Sequence, residues 1–548
     1  MKKITLLTLL FCLLLAAVPV VTAQEATVTI LHVSDYHSHA EPFYSEGRAG
    51  VGGIARAIAY LRPFANDPGA VILSGGDLIN RGTPAWSDKY TCAEWPWFNG
   101  IVDAMAFGNH DADYGPDVFA RCRAELDYPI LSANTLDAAG NPLFLVDGKP
   151  YLVVEAGGVK IGLLSLAGSD FESLIKPEFR PSEGATFGDR VATARSAVQA
   201  LRETEGVAAV VLFGHAHYDD DVALAQAVPG IDLILGTHSH LKKELAQLPG
   251  TQTYYVSSYQ YLTYIGRVEL AFVDGKLQSV SGGPVAMSPD LPQDAEIVER
   301  VAAMQADLEA DPQYAPLFEP IGQAQVELSI DGSLSGESVL GNLVMDVVRA
   351  AAGTHAAMST ASSFRQPIPP GEIVEEMLRT TMPYTNKLFA YELTGAQVQA
   401  LLDHSVSRKG SDFFSQVSGV RFAIDGARAV DVEILRDPAD PGAGYAPLDP
   451  AATYQLAITD FQAKVAAGYK EILAGLPARE TGLEVREQVR AHLGAHSPIH
   501  ASLDGRIRSA QPGLPESGGP GLDPLSLSLL GLLVAASGLV LHRRARQP

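Results

Sequence analysis

The chain has 548 residues, of which 47% are hydrophobic and 19% charged, so it has ample material for two or more folded domains. The 63 acidic residues outnumber the 40 Lys and Arg residues, and a formal net charge of −23 argues against a general nucleic-acid-binding protein because such a surface repels phosphate backbones. Three cysteines are too few for a disulfide-rich scaffold or a cysteine-ligated zinc array.

Residues 1–23 have the pattern of a secretory signal. Two lysines follow the first Met, an apolar stretch runs from Leu6 to Val21, and small residues lead to Ala23. This pattern predicts export and removal of the segment; the alternative, a retained membrane helix, is disfavoured because the apolar stretch is short. The two cysteines that then remain, Cys92 and Cys122, can pair in an oxidising compartment or stay free.

Between residues 25 and 285, short apolar segments alternate with amphipathic segments, which is typical of buried strands in a layered α/β domain. The predicted strands are 28–33, 70–73, 105–107, 207–213 and 231–235, and the predicted helices include 54–61 and 191–201. Residues 293–310 have helical spacing and stop before Asp311-Pro312. They predict a connecting helix inside a linker at 286–320.

A second region, at 321–508, mixes predicted helices with predicted strands and is expected to form an α+β domain. Its predicted helices include 341–352 and 394–405, and its strands 420–424 and 454–458. Residues 509–524 are rich in Pro, Gly and Ser and predict a stalk, followed by an apolar segment at 525–541 and a basic tail at 542–548. This end is typical of a plain membrane anchor, and it also resembles a sortase-type sorting signal in which Ser517 replaces the usual Thr. Either interpretation places the protein outside the cell, anchored to the membrane or the cell wall.

Each of the five predicted strands of the first region ends in a turn that carries His, Asp or Asn. The turns are Ser34-Asp35-Tyr36-His37-Ser38-His39, Ser74-Gly75-Gly76-Asp77, Gly108-Asn109-His110-Asp111-Ala112-Asp113, Gly214-His215-Ala216-His217 and Gly236-Thr237-His238-Ser239-His240. The carboxyl ends of strands border the ligand crevice in open α/β sheets, so we expect these side chains to converge.

The residue types in these turns predict a metal centre. Imidazole, carboxylate and amide oxygen ligate zinc, manganese and iron, and one ion needs about three to five protein groups. The turns offer at least seven such groups, which predicts two divalent ions with Asp77 between them. Paired ions about 3.5–4 Å apart hold the attacking and leaving oxygens of a phosphoryl transfer and supply hydroxide at neutral pH.

In composition and order, the five motifs resemble those of the calcineurin-like metallophosphoesterase superfamily, and specifically the 5′-nucleotidase family, across residues 26–508. The resemblance implies a four-layer β-sandwich flanked by helices at 25–285, followed by a C-terminal α+β substrate-binding domain at 321–508. It implies that one metal is held by Asp35, His37, Asp77 and His240, and the other by Asp77, Asn109, His215 and His238.

The same resemblance assigns a catalytic role to His110, which would stabilise the transferring phosphoryl group or protonate the leaving group, with Asp113 orienting it. Asp111 is expected only to cap the following helix. The remaining histidines of these turns and strands are expected to orient ligands through hydrogen bonds, with direct coordination as the alternative; they are His32, His39 and His217.

The second region resembles the family's substrate domain at 337–343, 392–395 and 416–419. This implies that Arg365 contacts the phosphate or ribose side of a nucleotide and that Tyr384 and Phe461 stack on its base, although both rings can instead be core residues. The chain departs from the family where Leu334 replaces an arginine, where 360–363 lacks the expected Asn and glycines, and where Ala467 replaces a ribose-binding carboxylate. The nucleoside pocket is therefore expected to be altered.

Together these features predict an exported two-metal phosphohydrolase that releases phosphate from nucleoside 5′-monophosphates by attack of a metal-bound hydroxide. The first alternative is a phosphoesterase for another small molecule: a 2′,3′-cyclic nucleotide, a nucleotide sugar or a non-nucleotide phosphate ester. The second is a surface-binding protein that has lost catalysis. A nuclease is disfavoured by the acidic charge.

Overall fold

The computed structural model describes residues 25–510. The predicted signal segment, the predicted apolar segment at 525–541, the basic tail and nearly all of the predicted stalk lie outside the described residues. Within residues 25–510, no helix combines the length and the apolar character needed to cross a membrane.

The first region contains two six-stranded sheets. In spatial order, the first sheet consists of Lys276–Ala286, Tyr264–Val273, Glu25–Val33, Ala70–Ser74, Ala104–Ala106 and Ile130–Leu131. The second consists of Lys242–Gln247, Tyr254–Ser258, Leu233–Gly236, Ala209–Leu212, Val159–Leu164 and Leu152–Ala156. The last four strands of the first sheet pair in parallel, as do the four inner strands of the second, so their carboxyl ends share an edge.

The two sheets pack face to face, and helices cover their outer faces. Val28 and Leu73 of the first sheet lie in one buried cluster with Leu163 and Val211 of the second. On the outer faces, separate clusters join the first sheet to Ile54 and Ile58 and the second sheet to Ala194, Val198 and Leu224. The predicted four-layer architecture is confirmed.

The three helices predicted between residues 25 and 320 are present, each starting within two residues of its predicted position, and four further α-helices lie between them. Their bounds are Ile54–Leu61, Ala85–Tyr90, Pro116–Ala124, Phe171–Leu174, Arg190–Gln199, Tyr218–Ala227 and Ala295–Ala310. The helix predicted at 191–201 ends at Gln199 and continues as a π-helical turn, Ala200–Glu205. The connecting helix begins after Asp294, whose side chain accepts a hydrogen bond from the Ile297 backbone N–H and so caps it. Short strands lie at Phe43–Ser45, Arg48–Val51, Thr135–Leu136 and Thr186–Phe187.

The second region has the mixed α+β structure that was predicted. Its five-stranded sheet has the spatial order Ser415–Ser418, Ala356–Thr360, Thr453–Thr459, Lys387–Thr394 and Ala478–Glu484. A four-stranded sheet contains Tyr445–Pro447, Arg428–Leu435, Val420–Asp425 and Ile507–Ser509, and Pro320–Ala324 pairs with Gly371–Val374. The helices are Val339–Ala352, Glu375–Thr381, Gly395–Ser407, Asp460–Lys464, Tyr469–Leu473 and Val485–His496.

Hydrogen bonds join the two regions at several points. Tyr44 Oη donates to Glu327 Oε2 at 3.0 Å, and the Ala85 backbone N–H donates to Glu376 Oε1 at 2.6 Å. Gln260 Nε2 donates to the Arg365 carbonyl at 2.7 Å. These contacts fix the second region against the edge of the first at which the parallel strands end. Separately, Cys92 and Cys122, whose pairing the sequence left open, form a disulfide.

Candidate active site

The five motif turns meet at one site, and the Asp77 carboxylate lies at its centre. Asp77 Oδ2 lies 3.1 Å from His215 Nε2 and 3.7 Å from His37 Nε2. Asp35 Oδ1 lies 3.3 Å from His240 Nε2 and 3.9 Å from His215 Nε2. Side chains that are far apart along the chain therefore surround a common centre, as their positions at strand ends predicted.

These side chains form two groups that are suited to metal ions. The potential ligand atoms of Asp35, His37 and His240 lie within 4.8 Å of one another, and so do those of Asp77, His215 and His238. Asn109 lines the same cavity as Asp77, is 8% exposed, and its Oδ1 has no hydrogen-bond partner among the described residues. A buried amide oxygen without a partner is costly unless a cation or water occupies the space beside it.

In three of the predicted ligands Nδ1 contacts an oxygen outside the two groups, and Nε2 faces the other predicted ligands; His37 Nε2, for example, lies 3.1 Å from His240 Nε2. His37 Nδ1 contacts the Ile79 carbonyl at 3.1 Å, and His215 Nδ1 contacts the Gly75 carbonyl at 2.7 Å. His240 Nδ1 contacts the side-chain oxygen of Gln260. Carbonyl oxygens accept hydrogen bonds only, so these Nδ1 atoms carry a proton, and Nε2 is the nitrogen of each ring that can offer a lone pair to a metal ion once it is deprotonated. This arrangement fits divalent cations such as zinc, manganese or iron.

The backbone of the turns is strained at the predicted ligands. Positive φ angles occur at Asp35 (51°), His37 (47°), Asp77 (52°), His238 (58°) and His240 (49°). Non-glycine residues adopt this left-handed conformation infrequently, and such residues cluster at functional sites where the surrounding structure holds them.

Asp111 does not have the helix-capping role that was predicted from the sequence. Its carboxylate does not cap the helix Pro116–Ala124; it accepts hydrogen bonds from the backbone N–H groups of Asp77 (3.1 Å), Leu78 (2.8 Å) and Gly108 (2.7 Å). The side chain therefore ties two of the motif turns together. A glycine is required at position 108 because a Cβ there would overlap the Asp77 carboxylate.

His110 lies at the wall of the site and is paired with Asp113. Its Nδ1 lies 2.7 Å from Asp113 Oδ2, and its backbone N–H donates to Asp77 Oδ1 at 2.8 Å. Burial lowers the pKa of His110, but Asp113 and Asp77 outweigh burial and raise that pKa to about 10. The ring is therefore held as an imidazolium with Nε2 as its second donor.

The electrostatics of the two carboxylates depend on the imidazoles around them. Burial raises the pKa of Asp77, but His215 and His110 outweigh that effect and hold the pKa well below its usual range. The pKa of Asp35 is likewise low, because His240 and His215 outweigh burial. Both carboxylates are therefore anions, as metal ligands must be.

The three additional histidines differ in what they contact. His39 Nδ1 contacts the His37 carbonyl at 2.9 Å, and its ring stacks on Tyr261 at 3.7 Å. His217 contacts Ser239 Oγ through Nδ1 at 3.2 Å and Asp170 through Nε2 at 3.1 Å. His32 lies 3.4 Å from Ser258 Oγ and contacts no predicted ligand through that bond.

Asp170 was missed by the sequence analysis. Its Oδ2 lies 3.2 Å from His238 Nε2 as well as near His217, and these three side chains form a third group with ligand atoms within 4.8 Å of one another. Because Nε2 of His238 contacts Asp170, Nδ1 is the nitrogen of His238 that remains available. Asp170 follows the strand Val159–Leu164 by six residues, with Gly168 two positions before it, but no histidine adjoins it in the sequence.

A cavity of about 670 Å³ contains the predicted catalytic and substrate residues together. Asp77, Asn109, His110, Asp113, His238 and His240 line it on one side, and Arg365, Tyr384 and Phe461 line it on the other. Arg365 Nη2 donates to Tyr384 Oη at 2.7 Å. Asp35, His37 and His215 lie deeper, at 0–2% exposure.

The same cavity has lining residues that sequence reasoning did not identify. They are Asn386, Arg408, Asp412, Phe413 and Lys470. Phe413 packs against His217 with ring centroids 5.3 Å apart, and the Arg408 guanidinium lies 5.4 Å from the centre of the Phe413 ring. The sequence alone does not distinguish Phe413 from the adjacent Phe414, which is a fully buried core residue.

Comparison with known proteins identifies the class of the first region and then the family of the chain. Residues 28–242 match the calcineurin-like phosphoesterase family, and residues 320–474 match the 5′-nucleotidase C-terminal domain. Protein UshA of Yersinia enterocolitica is 28% identical over 528 residues, covering 87% of this chain and 92% of its own. The 5′-nucleotidase of Homo sapiens is 26% identical over 539 residues, covering 88% and 90%.

Among solved structures, a 5′-nucleotidase precursor from Thermus thermophilus has a TM-score of 0.68 and 28% identity, with coverage of 88% of this chain and 99% of its own. The chain belongs to the 5′-nucleotidase family of the calcineurin-like metallophosphoesterases. It is therefore a metal-dependent phosphoric ester hydrolase.

Proposed function

We propose that this protein is an exported enzyme that releases phosphate from nucleoside 5′-monophosphates with the help of two divalent ions. The main support for this proposal is that one cavity is lined both by predicted metal ligands and by the predicted base-stacking residues. Relatives named 5′-nucleotidase, which align over most of the chain, support the choice of substrate.

The ligand groups support two ions. Asp35, His37, Asp77 and His240 would hold one ion, and Asp77, Asn109, His215 and His238 would hold the other. When bound, such ions activate water and neutralise charge on the phosphate oxygens. The protein contributes anionic carboxylates, fixed imidazole tautomers and backbone turns that hold each donor inward.

His110 would act on the phosphoryl group or on the leaving oxygen. Asp113 accepts from Nδ1 and fixes the ring, so Nε2 is the atom that donates a proton or a hydrogen bond. A donor that is fixed before the reaction stabilises the developing charge without having to reorganise. Asp113 is therefore a positioning residue, and its carboxylate also accepts the Arg81 backbone N–H at 3.0 Å.

The second region would hold the organic part of the substrate. Phe461 and Tyr384 would stack on the base, and Phe413 adds a third aromatic ring to the same cavity. Arg365 is fixed at its backbone by Gln260 and at its guanidinium by Tyr384, which positions it to contact a phosphate or ribose oxygen. On this proposal, residues 25–285 are the catalytic domain, 286–320 the linker and 321–508 the substrate domain.

One observation favours a different phosphate ester as the substrate. Ala467, which stands where relatives are expected to have a ribose-binding carboxylate, lines the cavity, and so do Lys470 and Arg408, the second of which pairs with Asp219. A cyclic nucleotide, a nucleotide sugar or a non-nucleotide phosphate ester would depend less on a ribose contact at this position.

A substrate panel distinguishes these candidates. We expect the manganese- or zinc-loaded protein to hydrolyse AMP and other 5′-nucleotides with a higher kcat/KM than nitrophenyl phosphate, a 2′,3′-cyclic nucleotide or a nucleotide sugar. If nitrophenyl phosphate is hydrolysed and the 5′-nucleotides are not, the nucleotide assignment is wrong and the phosphoesterase assignment stands. Metal analysis of the same sample is expected to find two ions per chain.

Export and surface attachment are part of the same proposal. They are supported by the sequence patterns at 1–23 and 509–548, and a disulfide between Cys92 and Cys122 is compatible with an oxidising compartment. Fractionation of cells that produce the full chain tests this. Recovery of activity in the cytosolic fraction alone would contradict it.

A further inference from the structure

A second cavity, of about 320 Å³, adjoins the active-site cavity. Four residues line both cavities: His240, Ser362, Arg365 and Asp412. His240 is a predicted metal ligand, and Arg365 is proposed to contact a phosphate or ribose oxygen, whereas the proposed stacking ring Phe461 lines the active-site cavity alone. The four shared residues therefore mark the end of the active-site cavity at which the phosphate would lie, and Asp412 is the one carboxylate among them.

The Asp412 side chain lies in the wall of the cavity with a carboxylate that has no partner. The residue is 6% exposed. Among residues 25–510, its carboxylate accepts no hydrogen bond and forms no ion pair, yet neither oxygen is sealed off from solvent. The oxygens therefore face the space inside the cavity, where a ligand can reach them.

Backbone hydrogen bonds hold Asp412 in place before any ligand binds. The Asp412 carbonyl accepts the Ser362 N–H at 2.9 Å, and the Phe414 carbonyl accepts the Ala361 N–H at 2.7 Å. The segment 412–414 is therefore fixed to the segment 361–362. A ligand that binds the carboxylate meets a preorganised group and has little ordering entropy to offset.

The two arginines that line the active-site cavity bind other groups. Arg365 Nη2 donates to Tyr384 Oη at 2.7 Å, and Arg408 pairs with Asp219. A carboxylate in the wall of a cavity is costly unless hydrogen-bond donors approach it. Water supplies those donors when the cavity is empty, and a bound substrate that displaces the water must replace them.

The position of Asp412 determines which substrate donors can reach it. A phosphate group repels a carboxylate and offers it no favourable contact. Between the phosphate and the base of a nucleotide, the donors are the sugar hydroxyls, and a carboxylate can accept a hydrogen bond on each of its two oxygens. Amino groups of the base are the alternative, but the ring of Phe461 places the base away from the end that the two cavities share.

We propose that Asp412 determines substrate specificity by accepting hydrogen bonds from the sugar hydroxyls of the nucleotide. This inference rests on the function proposed above and adds a contact to the same cavity. Asp412 binds the organic part of the substrate and does not touch the reacting phosphorus or its oxygens. A site whose polar groups are satisfied by substrate hydroxyls discriminates against analogues that lack those hydroxyls.

Hydrolysis of AMP and of 2′,3′-dideoxy-AMP by the full chain, loaded with manganese or zinc, tests the proposal. We expect kcat/KM for AMP to exceed that for the dideoxy analogue by at least about tenfold, because hydrogen bonds to charged groups are among the stronger ones. In Asp412→Ala this ratio should fall to about twofold or less, and in Asp412→Asn, which keeps one acceptor oxygen, to an intermediate value. A ratio near one in the unmodified chain overturns the proposal.

The ratio of the two kcat/KM values separates a substrate contact from an indirect role. If Asp412 only positioned Arg365, both values would fall together in Asp412→Ala and the ratio would stay unchanged, which contradicts the proposal. IMP keeps the sugar hydroxyls and lacks the adenine amino group. If Asp412→Ala lowers activity on AMP and on dideoxy-AMP but spares IMP, the carboxylate binds the base and the proposal is wrong. The matched control is Asp331→Ala, at an exposed carboxylate that lines the smaller cavity alone, and it should keep the original ratio.

Calorimetric titration of the full chain with nucleosides distinguishes failure of this inference from failure of the proposed function. Adenosine should bind at least about tenfold more tightly than 2′,3′-dideoxyadenosine, and Asp412→Ala should remove the difference. If adenosine shows this preference and AMP is not hydrolysed, the nucleotidase proposal fails and the role of Asp412 stands. If AMP is hydrolysed without a preference for the hydroxyls, only the role of Asp412 fails. If AMP is not hydrolysed and neither nucleoside binds, both proposals are wrong.

Discussion

The two sides of the active-site cavity are built in different ways. On the metal side, the donors follow directly after buried strands, five of them have positive φ angles, and Asp111 joins two of the turns through backbone hydrogen bonds. On the substrate side, Tyr384 is 37% exposed, and Phe413 and Phe461 come from separate segments without a shared motif. The predicted metal ligands are therefore held by strained backbone turns, whereas the proposed substrate contacts are single side chains that can change without altering those turns.

The largest effect is expected at the carboxylate between the two ligand groups. Asp77→Ala removes a donor from both ions, so we expect loss of both metals and no measurable turnover with any phosphate ester. Metal content and hydrolysis of nitrophenyl phosphate are the measurements. The matched control is Asp117→Ala, at an exposed aspartate, which should retain both. An Asp77→Ala protein with full metal content would contradict the shared-ligand arrangement.

Substitution of His110 is expected to change catalysis without changing metal binding. His110→Asn should leave metal content unchanged and lower kcat by about 10²–10⁴ because the donor to the phosphoryl or leaving oxygen is lost. Asp113→Asn should produce a smaller fall in kcat, since it only loosens the ring held at 2.7 Å. Equal metal loss in His110→Asn and Asp77→Ala would remove the distinction between ligand and catalytic residue.

Substitutions on the substrate side should change selectivity and not chemistry. Phe461→Ala and Phe413→Ala should each raise KM for AMP by about tenfold to a hundredfold, because stacking on one base contributes about 1–3 kcal/mol. Turnover of nitrophenyl phosphate should stay within about twofold of the unmodified protein, since the metal side is untouched. Equal losses with both substrates would show that these rings support the fold and are not stacking surfaces.

A smaller effect concerns Glu94, whose carboxylate accepts a hydrogen bond from Tyr36 of the turn at 34–39. Burial raises the pKa of Glu94 from 4.5 to about 7, although Trp86 and Tyr36 donate hydrogen bonds to it. The folded state therefore holds the proton more tightly than the unfolded state, so this group lowers stability as pH rises from about 4.5 to 7, by about 3 kcal/mol in all.

Glu94→Gln removes that titration and should make the free energy of unfolding flatter over this pH range. Urea unfolding at both ends of the range measures it, with the exposed Glu125→Gln as the control. A difference between the two variants that does not change with pH would show that Glu94 is not protonated on folding.

The side chains predicted as metal ligands lie together in the structure, and the pattern that marked them in the sequence is local. Each of the five turns follows a strand, and four of them contain a glycine; Gly108, for example, leaves the space that the Asp77 carboxylate occupies. The helix at 54–61 was predicted with its exact bounds because its apolar residues recur on one face. Asp170 and Phe413 were missed because only packing brings them to the cavity.

Gln260 connects the two regions through the two ends of its side-chain amide. One end of its amide contacts His240, and the other donates to the Arg365 backbone at 2.7 Å. Any event that shifts the Arg365 segment must also reorient this imidazole or break one of the two bonds. On the proposed function, an ion at His240 that strengthens nucleotide binding is itself bound more tightly when the nucleotide is present, by the same free energy. On the proposed function, the affinities for the ion and for the nucleotide are therefore coupled through one uncharged side chain.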